Sequence, residues 1–434
     1  MAERRRVLLL LPRRRRAWHD RLERRLAASH DVVAAPPFDL IVDLSETGAA
    51  RPERTLRPLY DGSPDSRALI ARLQRGECPL LDIVEGDNIL ASSYAAIGDG
   101  DRLATIFARV EALILRALAG AGAPLRDRPQ RSTAAFSRPL QIARAARRLA
   151  GRALAPLRRG PARRHWTIAL KWDERPVNPG SFDLADYTPL PADPEIFHAD
   201  PFVIEHDGRH VLFAEAYPYA SGKGVIVCAE LARGGAPGPF RTVLERPWHL
   251  SYPYVFAHRG EIYLMPESGT QSGVEIYRAV RFPDRWEPER KLLEDHVLLD
   301  STLFEHDGLL WLFAAVPTPG GSDWDELGAW HAPALEGPWT PHALNPIKSD
   351  CRSARPGGRP LRLGGRLIRP AQRCERFYGE ALVWLEVTRL TPDAFEEVEI
   401  AEWRAAGPGL TGPHNADLST RCRAVDFRTE LASA

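Results

Sequence analysis

A unit of two short strands around a tight turn recurs at a spacing near 50 residues, and this period constrains the fold more than any other feature of the chain. Residues 202–213 read FVIEHDGRHVLF, 254–264 read YVFAHRGEIYL and 303–313 read LFEHDGLLWLF, with a weaker copy, PLRLGGRLI, at 360–368. Each copy places His-Asp-Gly, His-Arg-Gly or Gly-Gly between two apolar runs, which is hairpin chemistry. The residues opening the first strands are Asp200, Tyr252, Asp300 and Arg355, at intervals of 52, 48 and 55, and a fifth start falls 59 residues on at His414. A later echo, Gly238-Pro239-Phe240, Arg285-Trp286 and Gly337-Pro338-Trp339, marks an outer strand in each unit. Repeats of this length with four short strands each are β-propeller blades. Four full units and the tail after His414 give five blades. The tail is too short for four strands, so HWTIALK at 165–171 is expected to supply a strand and close the ring. An irregular sandwich would explain the strands but not the period.

The expected fold class is therefore mainly β: a five-bladed β-propeller over 166–434, preceded by a small α/β domain at 1–124 and a basic helical linker at 125–165. In the first part, Val7–Leu11 reads as a strand buried on both faces, 17–28 as a helix, Phe38–Leu44 as a second strand and Arg102–Leu118 as an amphipathic helix. Strand, helix, strand suggests a parallel, Rossmann-like sheet. It would be degenerate, because Pro12 and four arginines stand where a Gly-rich phosphate loop would follow the first strand. Trp18 and His19 are expected to pack rather than bind.

The formal charge of +1 hides an asymmetry. Residues 1–165 carry a net +13 and residues 166–434 a net −12; the stretch 125–165, with 12 Arg and the single acid Asp127, holds +11 of the excess. Within it, apolar residues at 140, 143, 146, 149, 150, 153, 154 and 157 oppose Arg144, Arg148 and Arg152. Such a helix docks on its own protein or lies on an anionic membrane surface. No apolar run reaches the roughly 20 residues of a spanning helix. The arginine-flanked Val7–Leu11 is too short for a signal peptide. Five scattered cysteines match no zinc or redox spacing, which suits a reduced, cytoplasmic protein, peripheral at the inner membrane face if the basic helix binds lipid. No metal site follows from residue spacing, no cofactor is expected, and an acidic propeller disfavours nucleic acid.

In a propeller the innermost strands surround the axis and their opening residues converge at one mouth. Asp200, Asp300, Arg355 and His414 stand at equivalent openings, Glu215 and Glu267 end second strands, and Arg369 and Gln372 hold that place in blade four. Paired carboxylates perform glycosidic chemistry because one must be ionised while another holds a proton. Tyr217, Tyr219, Tyr252, Tyr254, Trp248 and Trp330 offer flat faces of the kind that stack on sugars. Each residue alone has a structural explanation, in a turn or a cap; the set together points to function.

The motifs HADPF at 198–202, LSYP at 250–253, MPES at 265–268, EGPW at 336–339, RPAQ at 369–372, YG at 378–379 and GPH at 412–414 resemble a known propeller family. It is the N-terminal domain of glucosamine inositolphosphorylceramide transferases, which also occurs in bacterial proteins beside formyltransferase-like domains. The resemblance covers about 166–434 and implies a bacterial protein of glycan or polysaccharide biosynthesis. The first 125 residues are weakly similar to a sugar formyltransferase but show no Asn/His/Asp formyl-transfer constellation. The propeller in turn is similar to those of arabinanases and β-xylosidases. There a blade-one Asp is the general base, a blade-three Asp tunes pKa and a blade-four Glu is the acid. Asp200 and Asp300 match the first two positions, and Arg355 stands in the third. Arginine cannot donate a proton near neutral pH, so Glu267 or Glu215 must serve as acid. The resemblance also allows a divalent ion or water at the axis near His414.

Three functions remain open from these residues. The first is a carbohydrate-active enzyme, acting by transfer, phosphorolysis or hydrolysis. Asp200 is its base or nucleophile, Asp300 the electrostatic partner and Glu267 the acid; Glu215, Tyr252, Gln372 and His414 contact substrate, and Arg355 and Arg369 form a fork for an anionic group, as in a nucleotide-sugar or phosphorylated sugar. The second is a glycan-binding module with the same cleft and no turnover. The third is a scaffold for a membrane-associated glycan-synthesis complex.

Overall fold

The computed structural model describes residues 4–12, 15–49, 53–97, 102–125, 128, 163–234, 236–269, 271–407 and 409–431. The membrane-helix expectation at 140–157 lies outside the described residues. Among them, no helix is long and apolar enough to cross a membrane.

The protein is mainly β, with a five-bladed propeller as its larger part. Four blades are consecutive four-stranded antiparallel meanders: 196–244, 251–292, 299–341 and 361–403. Blade three gains a short extra strand, Lys348–Ser349. Blade five is assembled from both ends of the propeller sequence, in the order Ala416–Asp417, Cys422–Leu431, Arg163–Trp172, Thr188–Pro189. Arg163–Trp172 pairs antiparallel with Cys422–Leu431 along its whole length, from Cys422 opposite Trp172 to Leu431 opposite Arg163. Ring closure is thus made by backbone hydrogen bonds between segments about 250 residues apart in sequence.

The repeated turns explain why the blades form where they do. Asp207-Gly208, Arg259-Gly260, Asp307-Gly308 and Gly364-Gly365 are two-residue loops with positive φ at both positions: 49° and 71°, 50° and 83°, 49° and 78°, 58° and 82°. That geometry matches the right-handed twist of the flanking strands and needs Gly, or a tolerant residue such as Asp, at its centre.

A second repeated irregularity positions the site. The pairing of the two inner strands slips between Phe213 and Glu215 in blade one, Ser251 and Tyr254 in blade two, and Leu299 and Thr302 in blade three. In each slip, two residues on the first strand oppose one on the second. The first residue of each bulge is Asp200, Tyr252 or Asp300, with φ of 53°, 43° and 50°. Bulges re-aim side chains at strand ends, and left-handed backbone at non-glycine residues is costly and clusters at functional sites. Arg355 and His414 open blades four and five without this conformation.

Three helices, Ala17–Ser29, Arg67–Arg75 and Arg102–Ala119, and one six-stranded sheet make up the described part of the N-terminal domain. A Rossmann-like sheet is not what forms. Arg6–Leu10, Asp31–Val33, Leu40–Asp43 and Thr55–Tyr60 are mutually parallel, but Leu80–Glu85 and Asn88–Tyr94 add on antiparallel. The last of these pairings has a local cause: only Gly86 and Asp87 separate its two strands, and Gly86 has φ of 59°. A two-residue loop permits only a hairpin.

Candidate functional site

A cavity of about 430 Å³ opens at the propeller mouth. Its walls include Asp200, Glu215, Glu267, Asp300, Asp323, Arg355 and His414, with Trp166, Phe197, Trp324 and Tyr378 as ring surfaces. Asp200 is buried and held from three sides. Its Oδ2 accepts the backbone N–H of Tyr252 at 3.0 Å, its own N–H donates to Asp426 Oδ2 at 3.0 Å, and its Oδ1 lies 3.1 Å from His414 Nε2. The other ring nitrogen of His414, Nδ1, lies 2.8 Å from Asp426 Oδ1. Burial opposes a charge on His414, but Asp426 and Asp200 outweigh it and push its pKa up to about 10. His414 is therefore an imidazolium at neutral pH, lodged between two carboxylates. The ligand atoms of Asp200, His414 and Asp426 lie within 4.8 Å of one another, the place where the resemblance allows an axial ion. Nε2 faces Asp200, but the buried Nδ1 makes no hydrogen bond despite its closeness to Asp426, so the set suits either a protonated His414 or a cation held by the three residues.

Glu215 and Glu267 are both shifted toward holding a proton. Burial first, then the charges of Asp200 and Glu267, raise Glu215 well above the usual carboxylate range. Burial and Asp300 do the same to Glu267, against an opposing pull from Arg355. His249 Nδ1 accepts the Gly224 N–H at 2.9 Å, so the neutral ring carries its proton on Nε2, 3.3 Å from Glu215 Oε1. Burial lowers the His249 pKa and favours that neutral form.

Asp300 is the hub of the other half. Its Oδ2 accepts Arg355 Nε at 2.6 Å and Gln372 Nε2 at 2.8 Å, and its N–H donates to Glu267 Oε2 at 2.9 Å. Arg355 also reaches Glu267 and Asp323, each at 3.5 Å, and its guanidinium lies over the Tyr378 ring at 5.0 Å.

Of the residues proposed from sequence, Asp200, Glu215, Glu267, Asp300, Arg355 and His414 meet in this cavity. Three do not line it. Tyr252 is 1% exposed, with its hydroxyl bonded to Thr302 Oγ1 and the Gly358 N–H. Gln372 sits behind Asp300, donating to it and to Pro356 O. Arg369 bonds both oxygens of Glu397, at 2.6 Å each, and Ser353 O. The two-arginine fork for an anionic group is therefore not formed: Arg369 is neutralised by blade four's own outer strand, and Arg355 by cavity carboxylates. The stacking faces also change. Tyr254 and Trp330 are buried in the core beside Tyr252 and Trp248 packs against it, so cavity rings come from Trp166, Phe197, Trp324 and Tyr378 instead.

The family model "Glucosamine inositolphosphorylceramide transferase 1, N-terminal" matches residues 183–407, just over half of the chain. The chain belongs to this family. Curated relatives named glucosamine inositolphosphorylceramide transferase 1 from Oryza sativa subsp. japonica and Arabidopsis thaliana are 38% and 35% identical over 211 residues. The match covers 48% of this chain and only 28% of each relative's length. A bacterial setting was the expectation; these curated relatives are plant proteins, which overturns it. Among solved structures, a family 117 glycoside hydrolase of Zobellia galactanivorans is 12% identical, with a TM-score of 0.40, covering 62% of this chain and 90% of that one. An exo-β-1,3-galactanase of Phanerochaete chrysosporium is 16% identical with a TM-score of 0.35, covering 48% and 52%.

The family motifs fall where the geometry is tightest. HADPF and LSYP carry two of the three bulges, and GPH carries His414. Asp426 was missed because it lies in the last strand, outside any repeat, yet it is fully buried and accepts the N–H groups of Asp200, His414 and Asn415. Trp166 was read only as part of a closing strand; its ring lies 4.0 Å from that of His414. Gly224 was likewise invisible. A Cβ there would stand 2.5 Å from Leu250 O and 2.6 Å from Glu215 Oε1. Gly224→Ala is expected to cost about 1–3 kcal/mol, read by chemical denaturation, and to displace Glu215.

The same groups set a pH dependence. A group whose pKa rises on folding binds its proton more tightly in the native state. Its contribution is complete below the unfolded value and fades as pH climbs through the folded one. For His414 that window runs from 6.5 to about 10; Glu215 and Glu267 add loss beginning near 4.5. The melting temperature is expected to fall from mildly acid to alkaline pH. His414→Gln should flatten the alkaline part of the curve; an unchanged slope would refute the assignment.

Proposed function

We propose that the propeller cavity binds a sugar and performs glycosyl chemistry on it, with Asp200 as base or nucleophile and Glu215 or Glu267 as the proton donor. The observation that carries this reading is the division of protons in one small cavity. Burial and neighbouring carboxylates shift Glu215 and Glu267 toward their protonated forms, while Asp200 is fixed beside His414. An acid and a base kept apart by their surroundings are what cleavage or transfer at an anomeric carbon requires. Each acid has one opposing cation, His414 for Glu215 and Arg355 for Glu267, so both stand as donors and the two variants below choose between them. Asp300 then orients Arg355 and Glu267.

Arg355 is engaged by Glu267, Asp300 and Asp323, which weakens it as an anchor for a phosphate and favours an uncharged sugar. The relatives' name makes glucosamine derivatives the first sugars to test. The test is a screen of the full chain against 4-nitrophenyl glycosides and UDP-linked sugars, glucosamine derivatives included. Turnover of at least one, abolished in Glu215→Gln or Glu267→Gln by about 10²–10⁴-fold, supports the reading. Arg355 at the blade-four acid position favours a second reading, a sugar-binding module without turnover; binding of glucosamine with every donor inert would select it.

A further inference from the structure

The loop that walls one side of the cavity is fastened to the N-terminal domain. Asp323 and Trp324 face the cavity; Asp323 lies 3.5 Å from Arg355, and the Trp324 ring is 5.8 Å from that of Tyr378. The next two residues, Asp325 and Glu326, turn away and are 1% and 2% exposed. Both form ion pairs with Arg109, and Glu326 also pairs with Arg116. Arg109 and Arg116 project from the helix Arg102–Ala119, and Arg109 is itself 1% exposed. The second oxygen of Asp325 accepts the Ala96 N–H at 2.9 Å, and Trp324 packs against the N-terminal domain's core. Nearby, Cys351 N–H donates to Tyr94 O at 3.0 Å, and Ser349 and Ser93 hydroxyls meet at 2.8 Å. A fully buried guanidinium between two carboxylates is a poor device for stability, since apolar residues of similar volume do as well. It is a good device for fixing position.

We propose that Arg109, supported by Arg116, is a positioning residue for the cavity: the N-terminal domain holds Asp323 and Trp324 in place and so sets the affinity of the propeller site. The consequence for affinity rests on the cavity being a sugar site; the positioning itself does not. It assigns the first domain a role that needs no chemistry of its own.

The experiment uses the full chain with Arg109→Met, Arg109→Lys and Arg116→Gln. Two readouts need no ligand: hydrogen exchange of the amides of Thr318 and residues 320–324, and the ¹⁹F resonance of Trp324 in 5-fluorotryptophan-labelled protein, assigned with Trp324→Phe. Arg109→Met is expected to speed exchange at these amides at least tenfold and to shift or broaden the Trp324 resonance. Blade one, 196–206, should be unchanged, and Arg109→Lys should restore part of the protection. Wild-type exchange and resonance in folded Arg109→Met would overturn the proposal. If that variant does not fold, Arg116→Gln decides, with about threefold faster exchange expected and none overturning it. The third readout is glucosamine affinity. A loosened loop with affinity unchanged would overturn the claim that the wall sets binding. Failure of wild type to bind any sugar, with the loop effects present, would instead fault the sugar-site reading.

Discussion

Asp200→Asn is expected to lower turnover by about a thousand-fold or more while sugar binding survives. The choice of Asn matters. Asp200 holds φ of 53°, a region Asn tolerates better than most residues. The Asn side-chain oxygen can still accept the Tyr252 N–H that Asp200 Oδ2 now accepts at 3.0 Å. Fold and bulge should therefore persist, and the lost element is the carboxylate charge beside His414. The variant should also lower the pKa of His414, since Asp200 is one of the two groups that raise it. Histidine ¹³C or ¹⁵N shifts against pH would show that directly. Turnover within tenfold of wild type would remove Asp200 from the chemistry. Asp200→Ala would be a poorer probe, because it adds backbone strain to the loss of charge.

Ile168→Ala/Leu170→Ala is expected to produce the largest loss of stability of any change suggested for this protein, about 4–8 kcal/mol in chemical denaturation. These residues are 0% and 6% exposed in the strand that closes the ring, and both pack in the cluster between blades five and one. Closure has no covalent support: all five cysteines are free. Pairing of Arg163–Trp172 with Cys422–Leu431 and the burial beneath it must hold the last blade to the first. Typical domains are stable by 5–15 kcal/mol in total, so the variant should be near unfolding at ambient temperature. Sugar affinity should fall with it, because Trp166 on the same strand lines the cavity. A loss below about 1 kcal/mol would mean that this strand is not what closes the propeller.

The period of the hairpin turns made the propeller readable. Asp207-Gly208, Asp307-Gly308 and Gly364-Gly365 announce themselves because two-residue loops accept so few residue types. The tail's shortness, joined with the apolar alternation of 165–171, pointed to closure. The converging carboxylates followed from equivalence of position: whatever opens a blade must face the axis. Arginines defeated the same reasoning. Arg369 stands one strand from Arg355 in the repeat, but its partner, Glu397, is a residue of the outer strand that no motif marks. Sequence shows a guanidinium and hides its counter-ion. Aromatic faces failed likewise, since Tyr252, Tyr254 and Trp330 lie on inward positions where burial and display look identical. The strand–helix–strand pattern of the first 44 residues shows the parallel half of the N-terminal sheet and not the strands Leu80–Glu85 and Asn88–Tyr94 that add to it antiparallel. The union of that domain with the propeller, through Arg109, Asp325 and Glu326, was not legible at all. It depends on charges 216 residues apart that only tertiary structure pairs.

The central claim is that the carboxylate cavity at the propeller mouth is a sugar site. It is tested most directly by determining the crystal structure of the full chain soaked with glucosamine. A sugar ring is expected in the 430 Å³ cavity, flanked by Trp324 or Tyr378, with a hydroxyl or amine within hydrogen-bond distance of Glu215 or Asp200. An empty cavity at saturating sugar, or density only on the outer face of the blades, would contradict it.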